Sequence, residues 1–126
     1  MNIALWTIAA LLAVIFLASG AVKLARSKEQ LVASGMGAVE DFSPGAVRTI
    51  GVLETLAAIG LIVPAAVDVA PVMVPVAAVG VALLMVGAAV VHFRRSEVQG
   101  VAATTLFLAL AAFVAWGRFG PESFTG

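Results

Sequence analysis

Four long, mostly apolar runs, over about residues 3–25, 44–66, 71–92 and 98–117, dominate this sequence and restrict what it can fold into. Roughly 20 apolar residues in a helix are what the ~30 Å hydrocarbon core of a bilayer requires. In lipid each backbone N–H and C=O needs an internal partner, so such runs become helices or the strands of a closed barrel. Barrel strands alternate apolar and polar residues, and continuous Ala/Val/Leu runs do not. Composition agrees: 63% of the 126 residues are hydrophobic and 11% charged, where a soluble domain carries about 25% charged residues. A small soluble fold has no interior large enough to hide that much apolar surface. The expected fold is all-α: an integral membrane four-helix bundle forming a single domain over residues 1–126.

The first run lacks the basic leader segment of a secretory signal and is followed by further spans, so it is expected to be retained. Asp41-Phe42-Ser43-Pro44 is a start signal for the second. Ser43 can cap orphan N–H groups, and Pro44 at the first helical position gives up no bond it needed. Pro64 loosens the last turns of that helix. A tight turn around Asp68 leads to the third span and the polar link Phe93 to Glu97 to the fourth. The connection after the first span is too long for a bare loop in a compact bundle. On a helical wheel Leu31, Val32, Gly35, Met36 and Val39 share a face of roughly 140°. A short amphipathic helix over about residues 28–40, lying in the membrane interface, is expected there.

Orientation follows from the cations. Lys23, Arg26, Lys28, Arg48, Arg94 and Arg95 fall on the side of the first and third connections, and Arg118 alone on the other. The basic side faces the cytoplasm, which puts both termini outside it. Trp6 and Trp116 then fall at the outer rim, where amphipathic rings sit. Arg48 is about 120° around its helix from Glu54 at 3.6 residues per turn, which makes it an interface anchor rather than a partner.

Polar side chains inside the spans concentrate toward the basic end. Glu54 lies about 15 Å into the second span at 1.5 Å per residue, where an unpaired charge costs at least ~2.5–3.5 kcal/mol. Lys23 is the expected partner, because helical side chains lean toward the N-terminus of their own helix. Lys23 near the end of the first span and Glu54 in the second therefore converge. Gly20 and Gly51, one turn back from each, leave room for the charged stems and for close helix approach. Thr104 and Thr105 on the fourth span reach the depth of Glu54, and His92 at the end of the third leans toward it. Together they define a candidate ligand-binding or buried polar layer. A purely structural Lys23–Glu54 pair stands ahead of that reading, threonines bonded to their own helix are a further alternative, and a proton path ranks last. Gly80 and Gly87, with Ala77, form a stripe of small residues expected at a close helix contact.

The net charge is zero, which offers nucleic acid no electrostatic footprint. The chain has no cysteine, so thiol chemistry and iron–sulfur ligation have no ligands to build on, and its one histidine, His92, leaves little for a metal. Ser19-Gly20-Ala21-Val22-Lys23-Leu24, Gly35-Met36-Gly37 in the linker and Gly51-Val52-Leu53-Glu54 together resemble the DoxX-like family of small four-helix bacterial membrane proteins, over essentially the whole chain. The resemblance implies a four-helix bundle in the bacterial cytoplasmic (inner) membrane and association with membrane oxidoreductases. The family's name-giving branch is a small subunit of a thiosulfate:quinone oxidoreductase. It also carries Lys23 and Glu54 over as the positions of interest.

The leading expectation is a membrane subunit or anchor that contacts lipid and assembles with other subunits or with itself. Its Lys23/Glu54 layer would form part of a quinone or lipid pocket, and no other cofactor has a motif here. The alternative is a stand-alone protein that binds or transports a small hydrophobic molecule, although transporter-type inverted repeats are not evident. An enzyme using Glu54 and His92 as acid and base ranks below both, and the isolated chain is not expected to be an enzyme.

Overall fold

The computed structural model describes residues 1–124, and among them there is no strand. The elements are α1 (Asn2–Ala25), α2 (Lys28–Ala33), a 3₁₀ turn (Gly37–Asp41), α3 (Pro44–Ala66), α4 (Met73–Arg94) and α5 (Val98–Phe119). α1, α3, α4 and α5 are the four long apolar helices, each of 22 to 24 residues and long enough to cross a membrane.

Their boundaries have local causes. The Ser43 hydroxyl accepts from the Ala46 N–H at 3.1 Å, with Pro44 opening α3. Pro64 lies inside α3, which nevertheless runs on to Ala66. The turn to α4 places Asp68 and Ala70 at φ 54° and 47°. Pro75 falls in the first turn of α4, where no intrahelical N–H is required of it.

α1 packs along α3 and α4 along α5, with α3 against α4 and α1 against α5 closing the bundle. Buried Leu5, Ala9, Leu12, Phe16 and Gly20 recur every three or four residues on α1, the spacing of one helix face. Leu5, Leu12 and Phe16 of this face join Ala58 and Leu61 of α3, Val81 of α4, and Ala111 and Val114 of α5 in the core. Large apolar residues such as Ile3, Val14, Leu56 and Leu83 point outward. A bundle apolar outside as well as inside is suited to lipid.

The linker departs from the expected single helix over residues 28–40. Ser27 and Gln30 form a reciprocal capping box that starts α2, but the helix lasts only six residues. Gly35 takes φ 106°, and the bonds Met36 N–H to Leu31 O (3.0 Å) and Gly35 N–H to Val32 O (3.1 Å) close a Schellman motif. The chain then resumes as the 3₁₀ turn. The expected apolar face survives the break: Leu31 and Val39 are buried with Val47, flanked by Val32, Met36 and Phe42. The linker thus folds onto the start of α3 as a strap with its own small core.

Candidate functional site

The convergence of Lys23 and Glu54 has a packing cause. Gly20 and Gly51 face each other where α1 meets α3. A Cβ at Gly20 would lie 2.7 Å from the Gly51 carbonyl oxygen, and one at Gly51 would lie 3.0 Å from the Lys23 Cβ. That approach carries the Lys23 Nζ to 2.7 Å from Glu54 Oε1 and 2.7 Å from the Ser19 hydroxyl. Glu54 is only 4% exposed. Thr55 directs its hydroxyl back to the Gly51 carbonyl at 2.8 Å, which satisfies it within α3.

This pair lines a half-enclosed cavity of about 460 Å³ between α3 and α4. The walls are apolar, with Val47 and Ile50 from α3, Leu84 and Ala88 from α4, and Met36 and Phe42 from the strap. The rim includes Leu83 and Gly87, both at the bundle surface. His92 lines the same cavity.

Outside the cavity the site continues as a chain of charges. His92 Nδ1 is 2.7 Å from Glu97 Oε1, whose other oxygen lies 3.3 Å from Arg95 Nε. Arg95 reaches Asp41 of the 3₁₀ turn at 3.4 Å and packs its guanidinium 3.1 Å from where a Cβ of Gly37 would be. The hydrogen bond from His92, and behind it Arg95, hold the Glu97 carboxyl below the usual carboxylate range against a smaller opposing effect of desolvation. The turn that sets this up is a second Schellman motif, Glu97 N–H to His92 O at 2.9 Å and Ser96 N–H to Phe93 O at 3.1 Å, with Ser96 at φ 58°. Gly100 leaves the space the His92 ring occupies, since a Cβ there would collide with the ring.

Several expected members of the layer are elsewhere. Thr104 is buried but bonds to Gly100 O (2.8 Å) and Val101 O (3.1 Å) of its own helix, and Thr105 lies on the outer surface of α5. Neither lines the cavity, whose walls come from α1, the strap, α3 and α4 and not from α5. The Gly80/Gly87 stripe also needs correction. A Cβ at either position would meet nothing within 4 Å. The two glycines edge open grooves, while Ala77 of the same stripe does meet α3, its Cβ lying 2.9 Å from where one of Gly60 would be; α1 and α3 approach closely at Gly20 and Gly51.

Sequence reasoning missed Glu97 and Arg118. Glu97 announces itself only through its five-residue spacing from His92, which is no helical period. Arg118, at the opposite end of the bundle, is 4% exposed rather than a surface cation. Its Nη1 donates to Glu122 O at 2.9 Å, and its guanidinium carbon lies 3.9 Å from the centre of the Phe124 ring and 5.9 Å from that of Trp6.

A family model described as the DoxX-like family matches residues 7–114. No curated protein and no solved structure gives a match.

Proposed function

We propose that this chain, which belongs to the DoxX-like family, is a membrane subunit that receives an apolar molecule with a polar ring headgroup, of the quinone or lipid class, between α3 and α4. The observation that carries this reading is the cavity of about 460 Å³ whose walls are apolar apart from Lys23, Glu54 and His92. Its size is within the roughly 300–1,000 Å³ of small-molecule sites, and its composition, apolar with few polar groups, is theirs too. A quinone ring fits this setting: Lys23 and His92 can hydrogen-bond its oxygens, while Phe42 and Met36 lie against a ring and its substituents. When bound, a quinone would supply two-electron redox chemistry, and an oxidoreductase partner would supply the other half of the reaction. Membrane oxidoreductase subunits are therefore the partners favoured by this reading.

Gly87→Trp tests it. The position edges the cavity and has open space around it, so an indole can enter the cavity without displacing backbone. Decyl-ubiquinone should bind the wild-type chain saturably in lipid nanodiscs. The variant should lose at least about tenfold in affinity, or ~1.4 kcal/mol, with its melting temperature held. Equal binding by both proteins would remove the cavity from the proposal. Co-purification of a soluble oxidoreductase from mild detergent would support the subunit reading, and quinone binding without any partner would favour a stand-alone binder.

The proposal places the chain in the bacterial cytoplasmic membrane with both termini outside. Lys23, Arg26, Lys28, Arg48, Arg94 and Arg95 lie at or near the helix ends adjoining the strap and the α4–α5 turn, and the Arg95–Asp41 contact joins those two connections. In a chain without native cysteine, Asn2→Cys should react with an impermeant thiol reagent in intact cells and Ser96→Cys should not. The reverse labelling would invert the topology. Thr125, the matching position at the other terminus, lies outside the described residues.

A further inference from the structure

We propose that Glu97 and His92 form a carboxylate-oriented imidazole that exchanges a proton between the headgroup of a ligand in the α3–α4 cavity and water at the polar rim, an assignment that rests on the cavity reading above. His92 belongs to both places. It lines the cavity with Lys23 and Glu54, and its Nδ1 lies 2.7 Å from Glu97 in the turn outside. The side chains of His92 and Glu97 are 25% and 35% exposed, and Glu97 stands in the turn between α4 and α5, outside both spans.

The tautomer follows from the acceptor. An ionised carboxylate can only accept, so Nδ1 carries the hydrogen of the neutral ring and Nε2 keeps a lone pair. Glu97 is held ionised by its contacts with His92 and Arg95. Among the described residues Nε2 has no hydrogen-bond partner. A carboxylate that fixes the ring orientation and then stabilises the charged ring is a recurrent way of making an imidazole an effective base. Here the orientation is fixed twice more. Gly100 leaves the slot for the ring, and Ser96 in a left-handed conformation, uncommon without glycine, turns Glu97 back toward His92.

The step balances without an electron changing hands. The O–H bond of a ligand hydroxyl breaks and an N–H bond forms at Nε2. The resulting imidazolium is paired with the Glu97 carboxylate, and the oxyanion left on the ligand faces the Lys23 ammonium. Loss of the Nε2 proton to water resets the ring, and the reverse sequence delivers a proton inward. The charged groups around His92 are Lys23 from α1, Glu54 from α3, Arg94 on its own helix, and Arg95 and Glu97 in the turn. Asp41 and Glu40 act on Arg95 from the strap. Glu97 acts through His92 and is a positioning residue.

Because the chain contains one histidine, nitrogen-15 labelling of histidine reports this ring alone. In nanodiscs at neutral pH the wild type should show the Nδ1–H tautomer. Glu97→Gln, outside the spans, and Gly100→Ala, which removes the slot without altering a charge, should each lose that preference. The second measurement uses a decyl-substituted nitrophenol, coloured when ionised, with the bound amount fixed by dialysis. Colour per bound molecule should fall several-fold in His92→Asn and less in Glu97→Gln. A wild-type ring in the Nε2–H tautomer overturns the proposal. A probe that binds with the same colour in all three proteins overturns it too, while leaving the cavity in place. A probe that does not bind at all removes both.

Discussion

Glu54→Leu and Lys23→Met should each lower the stability of the bundle by about 3–5 kcal/mol, the usual result of leaving one member of a buried ion pair alone, and the double variant should recover most of that loss. The pair is 2.7 Å long with its carboxylate side chain 5% exposed, and the surrounding medium would be hydrocarbon rather than water. Among the described residues, a single survivor keeps a hydrogen bond to Ser19 if it is Lys23, and has no hydrogen-bonding side chain if it is Glu54. Glu54→Leu is therefore partly relieved and Lys23→Met is expected to be the worse of the two. Two apolar side chains of similar volume leave no charge to solvate, which is why the double substitution can approach neutrality. Thermal denaturation of all four proteins in one detergent gives the interaction energy directly. Losses that simply add would show that the two residues do not act as a pair. A rescued double variant that no longer binds decyl-ubiquinone would place the ligand at this layer, and one that binds as well as wild type would make the pair scaffolding.

The convergence of this pair was legible because it depends on quantities a sequence carries: rise per residue, side-chain lean and a glycine one turn away. Length and apolarity likewise define four helices, and Ser43-Pro44 marks where α3 begins. Rotation about each helix axis is a different matter. A soluble helix discloses its buried face by having a polar one, but these spans are apolar all round, so depth can be counted while azimuth cannot. Thr104 and Thr105 show the consequence, one turned into the bundle and its neighbour turned out. The glycines show it again, since Gly80 and Gly87 repeat as regularly as a contact stripe and touch nothing.

The remaining gaps come from backbone turns that the local residue types do not signal. Gly35 breaks the strap helix in a way its identity allows. Ser96, by contrast, adopts the left-handed conformation without glycine, and the return of Glu97 to His92 depends on it. Arg118 was countable as a cation, but its burial depends on residues after α5 folding back so that Phe124 covers the guanidinium and meets Trp6, with ring centres 5.7 Å apart. A residue count along the chain locates the end of a helix and says nothing about what packs over it.

Gly20→Ala and Gly80→Ala should move stability in opposite directions, although each adds the same methyl group to a glycine in a spanning helix. At Gly20 the new carbon would lie 2.7 Å from the Gly51 carbonyl oxygen and 3.0 Å from the Thr55 backbone nitrogen, and would collide with the Thr55 hydroxyl. Two of these neighbours are backbone, so neither can rotate away and α1 must separate from α3. Overpacking of this kind costs about 1–3 kcal/mol, and here it also lengthens the Lys23–Glu54 contact less than one turn away. The gain in helix propensity, roughly 1 kcal/mol for glycine to alanine, offsets only part of it. At Gly80 nothing lies within 4 Å of the added carbon, so the propensity gain stands alone and the variant should be slightly more stable. Gly117 provides an intermediate case, because its nearest neighbours are the Leu5 methyl groups at 2.7 and 2.8 Å, the flexible end of a side chain that can shift. Melting curves in one detergent should therefore rank the three as Gly80→Ala, Gly117→Ala and Gly20→Ala in falling order. A Gly20→Ala protein as stable as wild type would mean that α1 and α3 are not held at this distance, and the geometry of the charged pair would fall with it.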